Sequence, residues 1–359
     1  MKSVLIGVGQ AGGKVVDALS DFDARNGFGA VIGSLAVNSA RSDLQSLPLD
    51  TVLIGGAEVN GHGVGGDNEL GTQVMQNDLQ EVMGAIDGRL TAQAEAVFVV
   101  AGLGGGTGSG GAPYLVRELK RIYDVPIYGL GILPGRDEGA LYQVNAGRSL
   151  KTLTREADAT LLVDNDAWRS SGESLESGYE AINERIAQRV GLLLAAGEAV
   201  DGVGESVVDS SEVINTLQGG GVATLGYASA DAAPDAGANV NVVTSTTRRA
   251  VRSGLSLPDT TSAKRGLLVV AGRPDTISRK GVESARSWLE TELDTMEVRG
   301  GDFPLENGRL ASLVLLGGVA NSDRLDGFLE RARQAAREEA EQEENDSSDL
   351  ADDRIDGLL

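Results

Sequence analysis

Ala101-Gly102-Leu103-Gly104-Gly105-Gly106-Thr107-Gly108-Ser109-Gly110-Gly111-Ala112-Pro113 places seven glycines in ten residues directly after a strand-like run at 96–101. A glycine inside a regular element costs roughly 0.5–1 kcal/mol relative to alanine. A run this dense is not expected to serve packing and therefore needs a compensating interaction. Successive main-chain N–H groups forming an anion nest, ahead of a helix opening near Pro113, supply one. Thr107 and Ser109 add hydroxyl donors. A flexible linker is the alternative, but the run is flanked closely by a strand and a proline-initiated helix.

Outward from this stretch, strand-like runs at 4–8, 30–37, 51–54, 126–132 and 160–163 alternate with amphipathic patterns at 11–19, 69–86, 113–123 and 139–157. This alternation predicts an α/β fold with a Rossmann-like parallel sheet. Ligands of such sheets bind beyond the carboxyl ends of the strands, where the glycine loops fall. A long helical pattern follows at 174–197, with Ile182, Ile186, Val190, Leu193 and Leu194 at helical spacing. Strands at 221–230, 266–271, 296–299 and 311–316, with helices at 241–252 and 276–293, predict a second α+β domain. The expected divisions are a nucleotide-binding domain at 1–173, a central helix at 174–200, the α+β domain at 201–320, and a C-terminal helix with an acidic disordered tail at 321–359. From Glu338 to Asp356 there are ten acids and one base, Arg354, a composition that favours a solvated tail.

The 359 residues include no cysteine and one histidine, His62. Thiolate nucleophiles, Cys-type zinc sites and a Ser-His-Asp triad are thereby excluded or nearly so. No apolar run reaches the ~18 residues of a membrane span, and the apolar part of the amino-terminal stretch is too short for a secretion signal. A cytoplasmic protein is expected. Fifty-three acids against 31 bases give a net charge of −22, which disfavours nucleic acid and anionic lipid as partners. Scarce lysine and excess carboxylate suit a salt-rich cytoplasm, where the Debye length falls to about 3 Å at 1 M salt.

Gly7-Val8-Gly9-Gln10-Ala11-Gly12 follows the first strand and fits a dinucleotide fingerprint, a weak signal alone. The second strand ends in Val37-Asn38-Ser39, without the acid that would hold a ribose. Gly13-Lys14 is followed by Val15, so a P-loop is not matched. Gly104-Gly105-Gly106-Thr107-Gly108-Ser109-Gly110, however, resembles the tubulin/FtsZ nucleotide-binding motif. The other loops match in order: Gly9-Gln10-Ala11-Gly12-Gly13 with Lys14 the first phosphate loop, Asn38-Ser39 the short loop after the second strand, and Gly63-Val64-Gly65-Gly66-Asp67-Asn68-Glu69-Leu70-Gly71 the loop that senses the γ-phosphate. The sequence is intermediate between tubulin and FtsZ and its composition is halophile-like, features that resemble the archaeal CetZ branch.

That resemblance implies the tubulin/FtsZ fold, binding of GTP and GDP with Mg2+, self-association head to tail into filaments, and control of cell shape. An FtsZ-type division protein and a non-polymerising nucleotide switch are the alternatives within it. It assigns Tyr179 and Asn183, four apart on one helix face, to stacking on the base and bonding its edge. Asn165 is assigned as a second base contact and Glu138 as a ribose contact, with Tyr142 or Asn145 beside it. Asn pairs with either purine, so guanine preference comes from the resemblance. Val208-Asp209-Ser210-Ser211-Glu212-Val213 resembles the family's catalytic loop. Its acids, Asp209 and Glu212, act on a nucleotide held by the neighbouring subunit. Without the resemblance both read as helix-terminal acids facing the helix dipole. The family's Asn before this loop is Val207 here, which implies slow turnover. Magnesium is expected on the phosphates, with Gln10 and Asp67 as outer contacts. Ile355, Leu358 and Leu359 beyond the acidic run read as a frayed end or as a docking peptide for a protein partner.

Overall fold

All six residues of β1 (Ser3–Val8) are buried, as expected of a central parallel strand with helices on both faces. β2 (Val31–Asn38) and β3 (Thr51–Leu53) extend the sheet on one side of β1. β4 (Ala96–Gly102), β5 (Ile127–Leu133) and β6 (Thr160–Asp164) extend it on the other. These six strands are parallel, in the order β3-β2-β1-β4-β5-β6. The order of connection reverses between β1 and β4, and the crevice beyond their carboxyl ends is where such sheets bind ligands. The computed structural model describes residues 1–168, 175–196, 198, 208–295, 297–305 and 308–356, and only the backbone of 175–177 and 342–356.

Side chains alternate along β1. Leu5 faces a core shared with α1 (Gly9–Asn26) and α7 (Leu175–Ala196), through Val15, Leu19, Ile186 and Val190. Val4, Ile6 and Val8 face the opposite layer. That layer is built by α3 (Asn68–Asn77), α4 (Leu79–Asp87), α5 (Gly106–Ile122), α6 (Ala140–Glu156) and α11 (Asp323–Asp356). The short α2 (Arg41–Gln45) follows β2. Beyond β6 the chain passes through α7 and α8 (Ser210–Leu217) to β7 (Val222–Asp231).

The strands expected in the second α+β domain are present, and they continue the same sheet. Thr160 and Leu161 of β6 pair in parallel with Val222 and Ala223 of β7. The sheet then runs antiparallel through β10 (Arg309–Ser322) to β8 (Thr260–Gly272), which pairs in parallel with β9 (Val298–Pro304). Among the described residues the result is one ten-stranded sheet. Its far end has its own core, where α9 (Val240–Arg252) and α10 (Arg279–Glu292) bury Val243, Ala250, Ala285 and Leu289 against Leu268, Val270 and Val314.

Three local expectations are corrected. First, α5 opens at Gly106, not near Pro113, which lies inside it. The reason is packing. A Cβ on Gly106 would meet Val64 Cγ2 at 2.5 Å, one on Gly108 would meet Gly102 O at 2.7 Å, and one on Gly110 would meet Asn68 O at 2.0 Å. These glycines let the helix approach its neighbours backbone to backbone. Second, the helix expected over 69–86 is two, broken at Asp78, whose Oδ2 accepts the Gly55 N–H at 2.6 Å. Third, the backbone stays helical to Asp356 where a disordered tail was expected. Residues 328–356 hold no glycine or proline and are rich in Ala, Glu, Gln and Arg, all strong helix formers. Val207, Leu358 and Leu359 lie outside the described residues. Among the described residues no helix is long and apolar enough to cross a membrane.

Candidate functional site

The carboxyl ends of β1, β4, β5 and β6 open onto a cleft of about 580 Å³, within the ~300–1,000 Å³ typical of small-molecule sites. Two helices start at its floor. α1 begins at Gly9, which has a left-handed backbone (φ 75°), and α5 is preceded by Gly105. Neither has a side-chain cap or an acid in its first turn. Their first N–H groups are therefore left for an anionic ligand, with both helix dipoles favouring it. A Cβ on Gly105 would meet nothing within 4 Å, whereas one on Gly12 would lie 2.2 Å from Val100 O. Gly105 thus borders open cleft, while Gly12 is a contact between α1 and β4.

Most of the expected nucleotide residues line this one cleft. They are Gly9, Gln10, Ala11, Lys14, Asn38, Gly65, Gly66, Gly104, Gly105, Gly106, Thr107, Gly108, Glu138, Asn165, Tyr179 and Asn183. Gly12, Asp67, Ser109 and Gly110 do not line it. Ser109 Oγ donates to Gly106 O at 3.2 Å within α5. Asp67 is the N-cap of α3, its Oδ1 accepting from the Glu69 and Leu70 N–H groups at 2.9 Å. That carboxylate is turned to its own helix, not to the phosphate region where a metal contact was expected.

The loops are tied to one another. Thr107 Oγ1 and Ser39 Oγ, both buried, are 2.7 Å apart. Asn145 Nδ2 donates to Gly66 O at 2.7 Å and to Gly104 O at 3.1 Å, so its role is to join the third and fourth loops. Asp43, absent from the sequence reading, lines the cleft and accepts from Asn38 Nδ2 at 3.0 Å and Gln10 Nε2 at 3.3 Å. It stands five residues beyond Asn38, on α2, which is why the end of β2 looked devoid of an acid. At the other end of the cleft Tyr179 OH donates to Glu138 Oε1 at 3.4 Å, and the same oxygen accepts the Gly135 N–H at 2.7 Å. Asn165 and Asn183 line this end together with the rings of Tyr142 and Tyr179. The array of two amides and two aromatic faces suits a purine.

Asp209 and Glu212 lie elsewhere, at the start of α8. Asp209 is its N-cap, Oδ1 accepting the Glu212 N–H at 3.1 Å and the Ser211 hydroxyl at 2.5 Å. The Ser211 bond holds the Asp209 carboxyl below the usual carboxylate range. Partial burial pushes the Glu212 carboxyl up, the charge of Asp209 adds to this, and Arg299 on β9 opposes it. α8 precedes β7, whose first residues pair with the first residues of β6, and Ser210 Oγ donates to Glu95, the residue before β4. The acid pair is therefore at the amino ends of the parallel strands, opposite the cleft. At ~3.3 Å per residue the seven residues of β4 alone separate the two by roughly 23 Å.

Two family models match the chain: the GTPase domain of the tubulin/FtsZ family over residues 2–173, and the C-terminal domain of tubulin-like CetZ over residues 172–334. The tubulin-like protein CetZ2 of Haloferax volcanii is 67% identical over 360 residues, covering 100% of both chains. A structure of that CetZ2 as a GTPγS-bound protofilament superposes with a TM-score of 0.92 at 68% identity, covering 95% of this chain and 100% of the other. The GDP-bound CetZ1 monomer of the same organism gives a TM-score of 0.86 at 48% identity, over 94% and 100%. On the sequence match along its whole length, and with the fold and loops described above, the chain belongs to the CetZ family of the tubulin/FtsZ superfamily.

Proposed function

We propose that the chain binds GTP in the glycine-lined cleft, stacks head to tail, and hydrolyses the nucleotide of one protomer with Asp209 and Glu212 of the next, in filaments that control cell shape. The observation that carries this is the separation of the two halves of the chemistry. The cleft and the acid pair occupy opposite ends of one parallel sheet, so a single chain cannot bring them together, and a stacked neighbour can. CetZ2, known as a GTPγS-bound protofilament, supports the same reading.

The main-chain amides of α1 and α5 receive the phosphates, and Lys14 adds the charge of its ammonium. Asn165 and Asn183 hydrogen-bond the base, Tyr179 stacks on it, and Glu138 with Tyr142 borders the ribose. Asp209 and Glu212 orient and polarise the attacking water in line with the γ-phosphorus, the positioning on which phosphoryl transfer depends. Among the described residues no three His, Asp or Glu side chains converge as a metal cage. The donor set fits a magnesium ion held through phosphate oxygens and water, with Gln10 as an outer contact. When bound, that ion neutralises charge on the β- and γ-phosphates.

The test is concentration dependence. With GTP, magnesium and high potassium chloride, turnover per protomer should rise with protein concentration, in step with the fraction that sediments. A per-protomer rate that stays constant on dilution to fully unsedimented protein would overturn hydrolysis between subunits.

A further inference from the structure

We propose that Glu95 is a positioning residue for the acid pair, locking the start of α8 to the amino ends of β1 and β4. Glu95 does not line the cleft, and it reaches the acid pair through Ser210, which lies between the two acids. Its carboxylate is divided between two partners. Oε2 accepts the Lys2 main-chain N–H at 2.7 Å, and Oε1 accepts the Ser210 hydroxyl at 2.6 Å. The Glu95 N–H returns a bond to Lys2 O at 2.8 Å, so the side chain is fixed to the sheet before it reaches Ser210. Ser210 is the first residue of α8, between Asp209 and Glu212.

Toward its far end α8 is tied to β8, where Arg265 Nη1 donates to Asn215 O; its first turn leans on apolar contacts. Val208, Val213 and Leu217 are buried in the core, and such contacts are non-directional. They hold α8 against the sheet without setting where its first turn, which carries the acid pair, points. The Ser210–Glu95 bond, to a charged acceptor, is directional and strong. A misplacement of about 1 Å in a positioned group can cost 10²-fold in rate, so the setting of α8 matters to two acids that must meet a nucleotide on another subunit. The carboxylate also lies at the amino end of α8, where the helix dipole favours it.

This inference rests on the proposed role of Asp209 and Glu212, and the experiment keeps the two apart. Full-length Glu95→Ala, Glu95→Gln, Ser210→Ala, the Glu95→Ala/Ser210→Ala double variant and Asp209→Ala are compared for GTPγS affinity, sedimentation and GTP turnover at saturating protein. Glu95→Ala and Ser210→Ala should bind GTPγS as the parent does and turn over roughly tenfold slower. Glu95→Gln should stay within about twofold, because its oxygen accepts from Lys2 and its amide donates to Ser210 Oγ. The double variant should be no slower than Glu95→Ala alone, the signature of a shared interaction. Ser210→Ala leaves the Lys2 bond intact and carries the test if Glu95→Ala does not fold. Parental turnover in Ser210→Ala, or losses that multiply in the double variant, would overturn the role of Glu95 while an inactive Asp209→Ala left the acid pair standing. Parental turnover in Asp209→Ala would instead remove the acid pair, and the inference with it.

Discussion

Arg324 and Asp164 stand 160 residues apart and form a bidentate ion pair, Nε and Nη2 of the guanidinium each meeting one carboxylate oxygen. Nη2 also reaches Asp166 Oδ2 at 2.7 Å. Asp164 and Asp166 flank Asn165, so the second residue of α11 fixes the turn that presents the Asn165 amide at the end of the cleft lined by Tyr142 and Tyr179. The side chains of Arg324 and Asp164 are 9% and 2% exposed. Removing one partner of a buried pair leaves an uncompensated charge and costs about 3–5 kcal/mol. Arg324→Ala should lose about that much in urea unfolding at neutral pH and bind GTP more weakly.

The same network fixes a pH dependence. Burial works against the Asp166 charge, yet the bonds from Arg324 and Arg136 hold its carboxyl below the ordinary value. A carboxyl lowered in the folded state contributes stability that is present above its unfolded value and lost as pH falls through its folded value. The parent should therefore lose stability on acidification through that window, and Arg324→Ala should lose less over it. Unfolding midpoints measured from pH 6 to pH 3 in both proteins check this.

The glycines of residues 102–111 divide into two kinds, and substitution separates them. Gly110→Ala drives a methyl to 2.0 Å from Asn68 O. Since backbone is the obstacle, the cost should be about 1–3 kcal/mol of overpacking, seen as a lower unfolding midpoint. Gly105→Val places its side chain in open cleft beside the first N–H groups of α5. It should keep the parental midpoint and weaken a fluorescent GTP analogue by at least about tenfold, or ~1.4 kcal/mol. Equal affinity in Gly105→Val would mean that the phosphates do not approach these amides.

Strand and helix alternation was legible because hydrophobic periodicity is local, and the cleft was legible because glycine loops follow the carboxyl ends of several strands, although Gly106, Gly108 and Gly110 serve packing that the sequence did not suggest. The start of α5 was not, since glycine is a poor helix former and proline favours the first helical position. Contacts with Val64, Gly102 and Asn68 override both, and they are invisible before the chain is folded. The break at Asp78 depends on a bond to Gly55, 23 residues away. Asp43 was passed over because its role comes from Gln10 and Asn38 converging on it. The continuity of the sheet rests on two paired residues in each of β6 and β7, too short a contact to announce itself in composition.

Base choice gives a separate test. Asn165 and Asn183 line the end of the cleft bordered by Tyr142 and Tyr179, and a side-chain amide can donate and accept at once. A site built to hydrogen-bond one edge pattern leaves polar groups unpaired with another. Asn183→Ala should weaken GTP by about 1–3 kcal/mol and ATP far less, narrowing the preference between them in competition binding. A variant that lost both equally would assign Asn183 to the structure of α7 instead of to base recognition.

Glu212 and Asp209 make a prediction that needs no turnover. Partial burial raises the Glu212 carboxyl, and the neighbouring Asp209 charge raises it further. Asp209→Asn keeps a good helix N-cap and deletes that charge, so Glu212 should titrate at lower pH in the variant, a shift read by carbonyl-detected NMR on the labelled side chain. Glu212→Ala addresses the chemistry itself. Its nucleotide cleft is at the far end of the molecule and should bind GTP as the parent does, while hydrolysis falls by about 10²-fold or more, the usual contribution of a positioned acid–base group. Because assembly would then outlast cleavage, filaments sedimented with GTP should persist as long as those formed with GTPγS. In the parent, a pH–rate profile should show activity lost on acidification at a pH above the ordinary glutamate range, since protonation removes the base form. In Glu212→Gln that limb should vanish from the residual rate, and a limb that survived there would assign the titrating group to another residue.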